Sequence, residues 1–401
     1  MKKFELLAAT ETHPRWQSMI KREYPLYPRS GDLRTPFGRD YTRIIHSTAY
    51  RRLKHKTQVF FSPQNDHICT RIEHVIHVES ISYTISQALG LNIELTKAIA
   101  VSHDLGHSPF GHAGEYVLSD LSETYLGLPF WHEKNGLAFV DDIELLEDID
   151  TGKQNLNLTY AVRDGIISHC GEIDENSLRP REYAIDLSKY EFPNQFSPFT
   201  WEACVVKISD KISYLCRDIE DAITLGVIPK ESPELTEILA SNQLIHAMNN
   251  TNMIHALISD LCEHSSPENG LCFSSQALHL MDELKRFNYE YIYHSSRIVP
   301  STHYFDLVLR EIFGVLKNSY AGIHTLSRLQ DLSSIYPLLG NSFSNFLLNY
   351  VDSSDRDRKK LKNKILFSWE SEPDYLRMII SYISGMTDHF AMEIYHEIIH
   401  F

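Results

Sequence analysis

No stretch of this chain approaches the ~20 consecutive apolar residues that a helix needs to cross a bilayer, so no membrane-spanning helix is expected. The opening segment MKKFELLAATETHP breaks its apolar run at Glu5, which makes it a poor secretory signal. Six cysteines (Cys69, Cys170, Cys204, Cys216, Cys262 and Cys272) form no CxxC pair, and most sit among apolar neighbours as buried thiols do. A cytoplasmic setting is the simplest expectation. Glycine and proline number only 17 and 16 and are spread out, which argues against a long disordered linker. What is present is ordinary for a soluble protein, 43% hydrophobic and 23% charged, over 401 residues. That length suffices for one large domain or two average ones.

Charge is unevenly distributed. The net charge is −15, yet residues Arg15–Lys56 hold 11 basic side chains against Glu23, Asp32 and Asp40, a local +8. Two explanations stay open at this point: an anionic ligand held locally, or arginines paired with the acidic remainder. The run Asp355–Lys364 (DRDRKKLKNK) reads as a solvated helix face.

Turn formers dominate residues 1–40, which read as an extended arm with a short helix at most. From Tyr41 the pattern becomes helical, with a loop or short hairpin at Phe60–Asp66. Helices are expected at Arg71–Leu89, stopped by Gly90, and from the N-cap Asn92 to Leu105, stopped by Gly106. Others fit Phe130–Glu147, Leu158–His169, Trp201–Leu225, Glu234–Ile254, Ser275–Tyr293 and Tyr304–Asn318. Strand patterns are few and short, so the fold class is mainly α with at most short β hairpins. The natural divisions are the arm (1–40), a core (41–230) and a helical C-terminal region (231–401).

The residues that carry chemistry cluster around His103 and Asp104. A lone His-Asp pair means little, but two other stretches support it. His74 aligns with Val78, Ile81 and Ile85 and so faces the core, while His77 reads as structural. Asp210, Tyr214, Asp218 and Asp221 make a polar stripe at helical spacing, with Lys207 and Lys211 beside it. Two imidazoles and two carboxylates suit a borderline ion such as Mn²⁺, Fe²⁺ or Co²⁺, with Mg²⁺ favoured where carboxylates dominate. Open positions on such an ion acidify water and polarise a phosphoryl oxygen.

In chain order, RDYTRIIHSTAYRRLKHKTQVF (Arg39–Phe60), Arg71 with His74, HDLGHSPFGHAGE (His103–Glu115), WHEKN (Trp131–Asn135), LTYAVRDGIISHCGE (Leu158–Glu172) and the segment around Asp210 are similar to the dGTPase branch of the HD superfamily, the deoxynucleoside triphosphate triphosphohydrolases. The resemblance spans about residues 35–230. It implies an HD helical core at 41–230, with the C-terminal helices completing the pocket and oligomer interfaces. It implies attack at the α-phosphorus of a dNTP, releasing a deoxynucleoside and inorganic triphosphate. Residues implied as metal ligands are His74, His103, Asp104 and Asp210. His112 corresponds to the catalytic histidine near the leaving 5′-oxygen, Glu115 to its partner, and His132 with Glu133 to a second His-acid pair. Arg71, His107 and Lys211 match phosphate contacts; Tyr214 and Asp218, with Gln58, match sugar contacts. Tyr293 resembles a base- or sugar-side tyrosine more loosely, and His169 matches the family without an assignable role.

Three departures stand out. Ser108 replaces a common proline, Glu133 a common asparagine, and Lys211 a glutamate frequent in dGTP-selective members, which points to broader dNTP use. Relatives assemble as homo-oligomers, often hexamers, and some respond to nucleotide effectors or single-stranded DNA. Two rival readings share the metal site. One is an HD phosphohydrolase acting on a nucleoside monophosphate, cyclic nucleotide or alarmone; the other is a non-catalytic nucleotide- or nucleic-acid-binding HD protein.

Overall fold

The computed structural model describes residues 2–26, 31–61, 65, 67–148, 152–169, 176–245, 249–352, 356 and 360–400. Among these the chain is mainly α-helical, as expected. The one sheet among the described residues is an antiparallel hairpin of β1 (Leu145–Asp148) and β2 (Gly152–Asn155), paired from Leu145 opposite Asn155 to Asp148 opposite Gly152. No helix among the described residues is long and apolar enough to cross a membrane.

Local chemistry sets the helix ends. Helix α1 (Pro36–Ile45) starts where Thr35 Oγ1 accepts the Gly38 N–H at 3.0 Å. Helix α2 (Arg71–Leu89) opens with the Glu73 carboxylate accepting the Thr70 N–H at 2.8 Å, and ends on the left-handed Gly90. Helix α3 (Ile93–Ala100) is capped by Asn92, whose Oδ1 accepts the Leu95 N–H at 3.1 Å. Helices α4 (Gly111–Leu126), α5 (His132–Ala138), α6 (Tyr160–Ser168) and α7 (Trp201–Thr224) follow. Helix α7 packs along α2 and α3, and α6 packs against α3, α5 and α7. Further along, α8 (Asn250–His264) and α9 (Ser275–Phe287) lean on α7. Helices α10 (Val299–Asn318) and α11 (Glu372–Ser384) cover α4, and α12 (Asp388–Ile399) packs on α10.

Fully buried aliphatic and aromatic side chains form two clusters, one including Val75, Ile99, Ile166, Phe313 and Ile379, the other Ile85, Ile212, Leu257 and Leu284. Each such side chain contributes about 1.5–3 kcal/mol by leaving water. Both clusters combine residues from before and after position 231, so the C-terminal helices share their core with the N-terminal ones.

Several boundaries differ from expectation. The second helix ends at Ala100, not Leu105, because side chains take its last carbonyls: Ser102 Oγ donates to Ala98 O at 2.7 Å and His103 Nδ1 to Ala100 O at 2.7 Å. His103 and Asp104 therefore sit on tight turns. Phe130–Glu147 divides into α5, a wider turn at Phe139–Ile143, and β1, since hairpin pairing captures Leu145–Asp148. Glu234–Ile254 is two helices, Pro233–Ser241 and α8, the second started by the Asn249 cap. The helix expected at Ser275–Tyr293 changes to a wider turn after Phe287.

The arm is embedded rather than loose. Phe4 is fully buried, edge-on to Trp201 at 4.8 Å, and the Ala9 N–H donates to Glu202 at 2.9 Å. Of the Phe60–Asp66 loop, residues 62–64 and 66 lie outside the described residues, and an isolated Thr57–Thr70 bridge closes its base. Four residues of the Asp355–Lys364 run, 355 and 357–359, also lie outside them. Its described part is no helix: Leu361 bridges Lys153, and Arg356 is buried on the Val351 and Asn363 carbonyls.

Several arginines of the basic segment are paired, two with the segment's own acids and one with an acid outside it. Arg22 pairs with the buried Asp40 at 2.6 Å, Arg52 with Glu144 at 2.5 Å, and Arg34 with Asp32 at 2.8 Å. Arg15 and Arg43 donate to backbone carbonyls of Arg181 and Leu156.

Candidate active site

Three elements bring the expected metal ligands together. His74 projects from the first turn of α2, His103 and Asp104 from the turns after α3, and Asp210 from the middle of α7. His74 Nε2 lies 2.9 Å from Asp210 Oδ1 and 3.8 Å from Asp104 Oδ2; His103 Nε2 lies 3.4 Å from Asp104 Oδ1 and 3.9 Å from Asp210 Oδ1. Because His103 Nδ1 donates to Ala100 O, its Nε2 carries the lone pair. That atom is buried, has no hydrogen-bond partner and faces both carboxylates. The donor set fits a divalent cation: His74, His103 and Asp210 offer ligand atoms all within 4.8 Å of one another, and Asp104 lies beside them, 3.4 Å from His103 Nε2 and 3.8 Å from His74 Nε2.

The carboxylates stay ionised. Burial opposes their charge, but His103, Arg71 and His107 hold Asp104 well below the usual carboxylate range. For Asp210, burial is likewise outweighed by His74 and His103. Arg71 is spent mostly on this arrangement. Its guanidinium donates to Asp104 at 2.7 Å and to the Thr57 and Gln58 carbonyls at 3.3 and 3.2 Å, and the side chain is buried.

The loop from His103 to Gly111 is shaped by close approach. A Cβ on Gly106 would stand 2.1 Å from both His132 O and Gly136 N, so only glycine lets α5 press against the His-Asp turn. That contact stacks the His107 and His132 rings 3.8 Å apart. Phe110 then takes a left-handed conformation (φ 62°) ahead of Gly111, at a cost of about 1–2 kcal/mol for a residue with a Cβ. It is held there by stacking on Phe305 at 4.3 Å.

Beyond this turn lies a chain of acids and imidazoles. Glu115 on α4 accepts the His132 N–H at 2.8 Å and His132 Nδ1 at 3.0 Å, and stands 3.4 Å from His112 Nδ1. Burial works against its charge, but His132 and His112 keep it far below the usual carboxylate range. Glu133 is buried 3.3 Å from His132 Nδ1. His112 is the exception to burial, with 77% of its side chain exposed at the cavity wall. His107 points Nε2 at Asp104, 3.2 Å away; burial, then Arg71 and His132, hold it neutral.

Part of this arrangement borders a cavity of about 960 Å³, within the size range of small-molecule sites. Gln58, Arg71, His107, His112, His132, Lys207, Lys211, Tyr214 and Asp218 line it together with His74, Asp104 and Asp210. The polar stripe of α7 thus faces the cavity, except Asp221, which accepts the Cys69 N–H at 3.0 Å. Burial pushes the Asp218 carboxyl up to about 7, although the Tyr293 hydroxyl donates to it at 2.6 Å.

Sequence reasoning missed part of the wall. His169, which the sequence matches to the family without a role, has its ring 4.9 Å from that of His103, and with its Nδ1 donating to Ile166 O its Nε2 can accept. Burial and the neighbouring imidazoles lower its pKa to about 3. The helical stripe Val162, Ile166, His169 was the available signal. Tyr289, Arg297, Thr302 and Phe305, far along the chain, carried none. His77 lies off the cavity, as expected.

The HD domain family matches residues 71–215, and the phosphohydrolase-associated domain matches residues 347–397. A deoxyguanosinetriphosphate triphosphohydrolase-like protein of Desulfatibacillum aliphaticivorans is 34% identical over 305 residues, covering 75% of this chain and 78% of its own. The chain belongs to this HD family. A member from Bartonella tribocorum with the same name is 30% identical over 420 residues, 98% of this chain and 96% of its own. One from Caldanaerobacter subterraneus is 37% identical over 284 residues, covering 70% of this chain and 72% of its own. The HD match contains His74, His103, Asp104 and Asp210, and the second match contains α11 and α12.

Proposed function

We propose that this chain hydrolyses deoxynucleoside triphosphates at the α-phosphorus, releasing a deoxynucleoside and intact triphosphate. The observation that carries the reading is the convergence of His74, His103 and Asp210, with Asp104 beside them, next to a cavity whose walls bring His112, Lys211, Tyr214 and Asp218. Those four would hold a divalent ion: Mn²⁺, Fe²⁺ or Co²⁺ by the mixed nitrogen and oxygen donors, or Mg²⁺. When bound, the ion supplies Lewis-acid polarisation of the phosphoryl group.

The chain's own residues do the rest. Glu115 holds the His112 Nδ1 side, leaving Nε2 to give a proton to the departing 5′-oxygen, an alkoxide that needs one. His132, held by Glu115 with Glu133 close by, supports that imidazole through the same carboxylate. Lys211, with Lys207, His107 and the part of Arg71 turned to the cavity, meets the phosphates. Tyr214 and Asp218, with Gln58, meet the sugar; a wall pressed there disfavours the extra hydroxyl of ribose. Lysine at 211 supports use of several dNTPs rather than dGTP alone. The same reading takes residues 41–230 as the catalytic core, in the cytoplasm, and homo-oligomers, hexamers included, as its assembly, with nucleotide effectors or single-stranded DNA as regulators.

Incubation with each of the four dNTPs and Mn²⁺, Mg²⁺ or Co²⁺, followed by ion-exchange separation, tests the proposal. Deoxynucleoside and triphosphate in equal amounts are expected. Monophosphate with pyrophosphate would sink it.

A further inference from the structure

We propose that Asp388, at the start of α12, is a positioning residue for the catalytic loop: its carboxylate fixes the turn between His107 and His112, so the C-terminal segment completes the active site. The proposal rests on the functional reading above for its effect on turnover, but its geometry is independent of substrate.

Asp388 Oδ1 accepts the Phe110 N–H at 2.8 Å, and Oδ2 accepts both the Thr57 N–H, at 2.8 Å, and the Thr57 hydroxyl. It thus ties two cavity-lining segments, Gln58–Phe61 and His107–Ala113, to a helix 278 residues further along the chain than Phe110. The turn it holds is one that reverts if released, since Phe110 and Gly111 are both left-handed, with φ of 62° and 59°. A second buried side chain fastens the other end of that turn. Lys56 Nζ donates to His107 O and, at 2.8 Å, to Ser384 O at the end of α11.

The carboxylate is not needed by its own helix. Thr387 already caps α12, its Oγ1 accepting the Phe390 N–H at 3.1 Å. A carboxylate and an ammonium, only 5% and 2% exposed, are costly to bury, and the loop contacts are what each gives in return. Burial also pushes the Asp388 carboxyl up, with the Thr57 and Phe110 donors opposing it.

The test uses the full-length, metal-loaded protein and compares Asp388→Ala, Asp388→Asn and Ile394→Ala. Ile394 is a fully buried residue of α12 away from the loop, so its truncation reports general destabilisation. Four readouts are taken: melting temperature, bound Mn²⁺ per chain, hydrogen exchange of peptides covering 56–61 and 105–113, and kcat with KM for dGTP. For Asp388→Ala we expect kcat to fall about tenfold or more, from losing acceptors worth that much, with KM and bound Mn²⁺ little changed. Exchange at Thr57 and Phe110 should quicken. Asp388→Asn should recover part of kcat, since its carbonyl oxygen still accepts the Phe110 N–H; should the alanine variant not fold, the asparagine variant carries the same comparison. Ile394→Ala should lower the melting temperature with kcat and loop exchange unchanged. Unchanged kcat or unchanged exchange in a folded Asp388 variant overturns the proposal, as does an equal kcat loss in Ile394→Ala. If the unmodified protein turns over no dNTP, the functional reading fails, and loop exchange alone decides the positioning role.

Discussion

Replacing Glu115 by glutamine removes one charge and almost no volume, and it probes the acid that links the two imidazoles, His112 and His132, proposed to act in turnover. Glu115 accepts from the His132 backbone and ring at 2.8 and 3.0 Å and sits 3.4 Å from His112, with its side chain only 15% exposed. A hydrogen bond to a charged acceptor contributes about 1.5–3 kcal/mol, and one to a neutral acceptor about 0.5–1.5. Two imidazoles each losing about 1 kcal/mol of orientation give about 2 kcal/mol, or roughly 30-fold in kcat. Glu115 does not line the cavity, so KM should stay within about threefold. Initial rates of triphosphate release at saturating Mn²⁺, over a range of dGTP concentrations, measure both constants. A kcat within threefold of the unmodified protein, or a loss confined to KM, would refute the relay. Glu115→Ala should lose more and also melt earlier, because the His132 N–H is then left without its acceptor.

Other outcomes follow from the same geometry. His74→Ala removes a proposed ligand and Asp210→Asn the charge of another, and each should weaken Mn²⁺ binding by at least about 100-fold in titration calorimetry, beyond what loss of a supporting group costs. Gly106→Ala puts a methyl 2.1 Å from backbone atoms of His132 and Gly136; it should destabilise the fold by about 1–3 kcal/mol or more and lower kcat as the His107–His132 stack shifts, read by thermal melting and turnover. Asp218, raised to about 7 by burial, is protonated in the fold below that value and ionised above it. Its proton is bound by the folded chain and not the unfolded one between about pH 4 and 7, so its contribution to stability falls as pH rises across that window. Only the ionised form accepts from a sugar hydroxyl at both oxygens, so KM for dGTP should fall as pH rises through about 7, and Asp218→Asn should flatten that dependence.

Much of the site was legible because helical spacing is a local property. His74 on the Val78–Ile81–Ile85 line and Asp210 on the α7 stripe both point where their register says. The stripe itself was ambiguous, since a polar face at helical spacing suits water as well as a cavity; only the packing of α2, α3 and α6 around α7 decides between them. The end of α3 was misjudged because Ser102 and His103 compete for its carbonyls, a side-chain effect that apolar periodicity does not carry. The opposing wall, with Arg297 and Phe305, and the Asp388 contacts depend on tertiary pairing across hundreds of residues. The basic segment shows the same limit: its charge was plain, but the pairing of Arg52 with Glu144, 92 residues away, was not.

Turnover of dGTP in ¹⁸O-labelled water, with both products weighed by mass spectrometry, tests attack at the α-phosphorus most directly. One ¹⁸O atom in the triphosphate and none in the deoxynucleoside is the expected result. Label in the deoxynucleoside, or label carried by a nucleoside monophosphate or by pyrophosphate, would contradict it.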